Sequence, residues 1–256
     1  MANRTQFTAL QREREWFHGL RVPHGMWAVV RVDGRGFSRL TKARYDKPYD
    51  HGFAATMTAC ATALTTELDG RFGYTYSDEI SVVLPPQHAL FGRGVEKLVS
   101  VSAGLVSAVF THEAGRPAHF DARLWIGASA EDVVDYMSWR QADAASSSLT
   151  NWCYWTLRDA GATAKEATAR LSGATVADKN ELLFNHGVNY NVTPAWQRRG
   201  VALHWEDHAH DAHDPRTGEH VVVTRRRLTA DTDLPRSDEF RGFVQAALTG
   251  TGTGGA

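Results

Sequence analysis

Val29-Val30-Arg31-Val32-Asp33-Gly34-Arg35-Gly36-Phe37 is an apolar, β-branched run that ends on an acid and a glycine and passes into a basic, glycine-containing turn. A second stretch, Tyr74-Thr75-Tyr76-Ser77-Asp78-Glu79-Ile80-Ser81-Val82-Val83-Leu84, reads as two strands. They lie so close together that only a tight hairpin at Ser77-Asp78 can join them. If the first strand lies beside this hairpin, Asp33 and Asp78 face each other across a small gap. Two carboxylates so placed are the minimum set of hard oxygen donors with which a protein holds divalent metals.

Working outward, the first strand covers residues 26–32 and is preceded by an N-terminal helix over 5–20. That helix has Phe7, Leu10, Arg14, Phe17 and Leu20 on a common face and is stopped by Pro23 and Gly25. After a basic loop, Asp50 caps a helix that places Phe53, Met57, Ala61, Leu64 and Leu68 on one side, with Gly70 at the C-cap position. Strands over 72–76 and 79–84, a helix over 94–112 and a strand over 120–126 follow. The order strand, helix, strand, strand, helix, strand predicts an α+β fold: the split βαβ arrangement of ferredoxin-like and polymerase-palm domains.

Beyond residue 130 the pattern becomes mainly helical: 131–159, with a break or kink at Ser146-Ser147-Ser148, then 164–171 and 178–184. Residues 201–205 and 221–228 resemble a closing hairpin, with a turn-rich connection at 214–218. The expected organisation is a palm-like domain with its N-terminal helix over 1–130 and a helical extension and hairpin packed on it over 131–248. A Gly/Thr-rich tail over 249–256 is expected to be disordered.

The 256 residues are 43% hydrophobic, enough for a sizeable core. A formal net charge of -1 gives no global attraction to a polyanion, so any RNA contact has to use a local basic patch. Cys60 and Cys153 suit a reducing compartment and buried apolar roles. The first twenty residues are too charged for a signal peptide, and no apolar run is long enough to span a bilayer. A cytoplasmic protein without a membrane contact is expected.

Mg²⁺ is held by few carboxylates and retains water and substrate phosphates. Asp33 and Asp78 meet that need, the carbonyl of Gly34 can add a ligand, and Glu79 completes the site or orients a ligand from behind. Singly, Asp-Gly and Ser-Asp are ordinary turn chemistry; it is their placement on neighbouring strands that points to a site. His204, His208, His210 and His213 fall in an expected solvent loop at spacings that match no zinc module. Arg198-Arg199 and Arg225-Arg226-Arg227 are candidate RNA-phosphate contacts, and Trp139, Trp152, Trp155 and Trp196 are expected in the core.

Four motifs carry a resemblance: Arg31 to Phe37, Tyr76 to Ser81, Trp139-Arg140-Gln141-Ala142-Asp143, and Glu181-Leu182-Leu183-Phe184 through Asn189-Tyr190-Asn191. In this order they resemble the motif series of the tRNA-His guanylyltransferase family, including its Thg1-like bacterial and archaeal branch. The resemblance extends from about residue 5 to residue 229. It implies an enzyme, a Mg²⁺-dependent nucleotidyltransferase with two metal ions that adds nucleotides 3′-to-5′ at the 5′ end of tRNA and assembles as a homotetramer. The 5′ phosphate is first activated with ATP, GTP or another nucleoside triphosphate, and the 3′-hydroxyl of an incoming nucleotide then attacks it.

Carried over by position, Asp33, Gly34 and Asp78 would hold the metals and Glu79 would support catalysis with the two aspartates. Asp33, Gly34, Arg35, Gly36, Phe37, Ser38, Ser77 and Asp78 would line the nucleotide site, and Lys47, Arg93 and Lys97 would bind phosphate. One segment departs from the pattern: the family histidine falls on Ala145 and its paired asparagines on Ser147 and Ser148. That shifts the expectation from guanylate addition to tRNA-His, kept as an alternative, toward template-directed repair of tRNA 5′ ends. A palm-type nucleotide cyclase and an RNA-binding module with decayed catalysis are the other readings.

Overall fold

Strand β1 (Trp27–Gly34) is an interior strand of an antiparallel sheet, and its alternate side chains feed two cores. The computed structural model of the protein describes residues 4–213 and 216–250, with side chains from residue 8 onward. In chain order, α1 (Arg4–Glu13) precedes β1, and α2 (Phe37–Lys42) and α3 (His51–Glu67) follow it. Next come β2 (Phe72–Tyr76), β3 (Glu79–Leu84), α4 (Val95–Ala114) and β4 (Phe120–Gly127). The strands stand in the order β4-β1-β3-β2, so β3 separates β1 from β2 as a split βαβ unit requires.

Register follows the pleat. Val30 opposes Val82 and Val32 opposes Ile80, and all four, with Met57, Leu64 and Val106, form the core beneath α3 and α4. Val29 and Val83 point to the other face, where Phe72, Val133, Met137 and Phe240 cover them. Asp33 opposes Glu79 at the end of this ladder, so the β1 acid arrives at the β2–β3 turn.

The second half contributes α5 (Ala130–Asp159), α6 (Ala164–Leu171), α7 (Val176–Asn185), α8 (Ala195–Arg199), β5 (Val201–His213), β6 (His220–Asp231) and α9 (Ser237–Thr249). Helix α5 is opened by a Ser129/Asp132 capping box and runs unbroken through the serines where a kink is expected. Packing overrides the local propensity there, because Ala144 and Ser148 face inward and are buried.

The closing hairpin also differs from expectation. Its first strand reaches well beyond 201–205 to His213, its second exceeds 221–228 only slightly, and β5 pairs with β2, so the hairpin extends the sheet to β4-β1-β3-β2-β5-β6. The histidines therefore sit on a strand rather than in a loop, and among the described residues they join no group of three or more His, Cys, Asp or Glu side chains that could hold a metal. Of the expected tail, Thr249 ends α9, and 251–256 lie outside the described residues.

Three local expectations are corrected. The N-terminal helix ends at Glu13, and Leu10, Phe17 and Leu20 are about half exposed or more. The basic loop contains α2. The left-handed residue after α3 is Asp69, with φ 46°, rather than Gly70. Gly70 is instead required by space, since a Cβ there would lie 2.4 Å from Val82 Cγ1.

Candidate active site

The site grows from the junction of β1 with the β2–β3 turn. Ser77 adopts φ 54°, which turns the chain sharply enough for Asp78 to stand at the tip. Its hydroxyl donates to Asp78 Oδ1 at 3.0 Å, and Gly34 N donates to the Asp78 carbonyl at 3.1 Å. A Cβ on Gly34 would lie 2.8 Å from Asp78 Oδ2 and 2.4 Å from Phe37 Cδ2. Gly34 is thus the spacer that lets the Asp78 carboxylate lie against the β1 backbone beside Asp33, with the Phe37 ring below. Gly34→Ala is expected to destabilise the fold by about 1–3 kcal/mol through overpacking and to displace Asp78. A melting temperature and nucleotide-transfer activity equal to the parent's would contradict this account.

Burial raises the Asp78 carboxyl above its usual range, Ser77 opposes the rise, and the charge of Asp33 adds to it. Among the described residues neither carboxylate is paired with a protein cation. Two adjacent acids without a counter-charge, offering hard oxygens beside the Gly34 carbonyl, fit a hard divalent cation such as Mg²⁺.

Glu79 is placed differently. Arg140 on α5 grips it with both arms of its guanidinium, Nε to Oε1 at 2.7 Å and Nη2 to Oε2 at 2.9 Å. Arg140 also reaches Asp143 at 3.0 Å and stacks on Trp139 at 4.4 Å, while Arg31 Nε stands 3.8 Å from Glu79. Its lone pairs are committed to arginines, which ties the start of β3 to α5 and leaves Glu79 to orient rather than coordinate.

Beside the acids opens a cavity of about 350 Å³, within the range of small-molecule sites. Of the expected nucleotide-site residues, Phe37, Ser38, Lys47, Ser77 and Asp78 line it, while Asp33, Gly34, Arg35 and Gly36 are not among its lining residues. Lys47 Nζ lies 5.7 Å over the ring of Trp155. Partial burial lowers its pKa against the opposing pull of Asp50.

Arg93 and Lys97 are not brought to this cavity. Arg93 is buried and gives its guanidinium to the carbonyls of Val22, Met26, Pro86 and His88, at 2.6–3.2 Å. It pins the loop before α4, with most of its donors committed to backbone carbonyls rather than to a phosphate. Lys97 is exposed on the outer face of α4.

The aromatic wall escaped the sequence reading. Tyr45, Tyr49, Phe53, Trp155 and Trp196 line the cavity, so two of the tryptophans assigned to the core are site residues, and Trp139 is 53% exposed. Tyr49 meets Trp196 edge-on at 6.0 Å, and its hydroxyl lies 2.5 Å from that of Tyr76. A signal did exist: Asn151 and Trp155 are one turn apart on α5 and so share a face. Asn151 lines the cavity, which means that the segment departing from the family pattern reaches the site.

The Thg1 family model, described as tRNAHis guanylyltransferase, matches residues 10–128, and the Thg1 C-terminal domain model matches 131–237. The chain belongs to the Thg1 family. A probable tRNA(His) guanylyltransferase of Drosophila melanogaster is 36% identical over 190 residues, 70% of this chain and 66% of that protein. One from Dictyostelium discoideum is 37% identical over 191 residues, 70% of this chain and 75% of that protein. This Thg1 family chain therefore spans about two thirds of the length of such relatives.

Among solved structures, a bacterial Thg1-like protein in complex with GTP aligns with a TM-score of 0.73 at 23% identity, over 96% of this chain and 99% of that one. The Saccharomyces cerevisiae tRNA(His) guanylyltransferase aligns with a TM-score of 0.69 at 26% identity, over 74% of this chain and 90% of that one. The Thg1 fold is thus shared along nearly the whole chain. Among the described residues no helix is long and apolar enough to cross a membrane.

Proposed function

We propose that this Thg1 family member is a Mg²⁺-dependent nucleotidyltransferase that extends the 5′ end of tRNA, and that its reaction is guanylate addition to tRNA-His. The observation that carries the chemistry is the pair Asp33 and Asp78, unneutralised, at the edge of an aromatic cavity that also holds Lys47. The relatives favour guanylate addition over template-directed repair, since the Drosophila and Dictyostelium proteins are named for tRNA(His). The bacterial Thg1-like structures with GTP and with ATP support nucleoside triphosphates as substrates. The homotetramer implied by the resemblance belongs to the same proposal.

In the first step an oxygen of the tRNA 5′-phosphate attacks the α-phosphorus of a nucleoside triphosphate, and pyrophosphate leaves. In the second, the 3′-hydroxyl of the incoming nucleotide loses its proton and attacks the activated 5′-phosphorus, releasing a nucleoside monophosphate. Asp33, Asp78 and the Gly34 carbonyl would hold Mg²⁺, which when bound lowers the pKa of the attacking hydroxyl and neutralises the leaving oxygens. The aromatic wall provides flat faces for a base, Lys47 a charge for a phosphate, and the fork of Arg140 on Glu79 fixes the turn that presents Asp78.

The test is incubation of tRNA-His transcripts, full-length and 5′-truncated, carrying a 5′-mono- or triphosphate, with Mg²⁺ and each labelled nucleoside triphosphate in turn. Incorporation of guanylate at the 5′ end is expected. Extension of truncated ends with whichever nucleotide matches the opposite strand would return the reading to repair. A cyclic nucleotide with unlengthened RNA would make the protein a cyclase, and no 5′ extension from either end would reject nucleotidyl transfer.

A further inference from the structure

Residues 35–47 carry Arg35, Arg39, Lys42, Arg44 and Lys47 against the single carboxylate of Asp46, in a chain whose formal net charge is -1. Arg35, Arg39, Lys42 and Arg44 are exposed. Among the described residues none of these four side chains has a hydrogen bond, ion pair or ring contact. By contrast, Arg140, Arg199, Arg227 and Arg241 each meet a carboxylate. Four neighbouring like charges left unpaired repel one another and attract a polyanion.

The patch is held rigidly. Phe37 is 2% exposed and meets Phe110 at 5.0 Å and Phe120 at 4.8 Å, which anchors α2 in the core. Gly36 makes the entry turn at φ 75°, and Arg35 N donates to the His119 carbonyl at 2.8 Å. Arg39 and Lys42, three residues apart on α2, project from the same outward side. Lys42 lines the cavity with Ser38 and Thr41, whereas Arg39 and Arg44 stand outside its lining. A ligand that touches Lys42 and both arginines has to continue out of the cavity, as a polymer does and a lone triphosphate does not.

We propose that residues 35–44 form a cationic shelf on which backbone phosphates of the RNA acceptor strand lie while its 5′ end enters the cavity, an inference that rests on the nucleotidyl-transfer reading. The test is the R39S/R44S variant, whose two exposed, unpaired side chains leave the fold untouched, with R39Q/R44Q as a longer-chain repeat. Binding of a tRNA-His transcript is measured from 50 to 200 mM KCl, together with nucleotide KM and with kcat at saturating RNA. Loss of two phosphate contacts is expected to weaken RNA binding roughly tenfold and to flatten the slope of log K against log salt by about 1.5, with nucleotide KM and kcat unchanged. Unchanged RNA affinity and slope overturn the shelf, and a raised nucleotide KM in that case assigns these cations to the triphosphate. If the parent binds RNA through the shelf yet transfers no nucleotide, the shelf stands and the transfer reading falls.

Discussion

Asp78→Asn is expected to reduce nucleotide addition about a thousandfold or more, which is roughly 4 kcal/mol of transition-state stabilisation, while the protein melts no lower than its parent. The asparagine carbonyl can still accept from the Ser77 hydroxyl, and the Asp78 backbone carbonyl still accepts from Gly34 N, so the turn persists. What disappears is a half-buried charge that burial and Asp33 both disfavour in the folded state. Removing it relieves the native structure even as it removes a donor for the metal. Asp33→Asn should behave alike. Transfer assays paired with thermal melts check the expectation, and full transfer activity in Asp78→Asn would remove Asp78 from the catalytic site and overturn the two-carboxylate metal reading.

Arg140→Ala should be the most destabilising change near the site. It strips a buried carboxylate of its bidentate partner, leaving Glu79, whose side chain is 17% exposed, with only Arg31 at 3.8 Å. Removing one member of such a pair costs about 3 kcal/mol or more, because the remaining charge stays desolvated. For a chain of this size that is a drop of roughly 6–12 °C in melting temperature. Activity should fall as well, since β3 begins at Glu79 and sets the position of the Asp78 turn. Glu79→Gln in the Arg140→Ala background should restore much of the stability. A single variant that melts like the parent would show that the pair contributes no net stability.

Features encoded locally were legible in the sequence. The period of two in 26–34 and 72–84, broken by a two-residue turn, places Asp33 opposite the hairpin, and the six-element order suffices for the palm. The aromatic wall was not legible, because it draws on a loop, α3, α5 and α8, segments far apart in the chain that meet only after packing. Arg93 and Lys97 are four residues apart, a spacing that within one helix puts two side chains on one face. Yet Arg93 precedes the helix at φ 58°, so its side chain points into the loop rather than along α4. The extent of β5 and β6 was obscured for a similar reason: polar, histidine-rich strands at a sheet edge lack the apolar alternation that marks a core strand.

The pairing of β5 with β2 has a consequence for biosynthesis. When the ribosome has delivered only the first 130 residues, the four palm strands are present, but β2 has a bare edge from Phe72 to Thr75, and Val29, Phe72 and Val83 lack α5 and α9 above them. A sheet in that condition is a template for pairing with a neighbouring nascent chain. Only after α9 has been synthesised, ending at Thr249, are that edge and face both closed. The acids and turn that define the site are made early in translation, whereas the sheet that holds them is completed last.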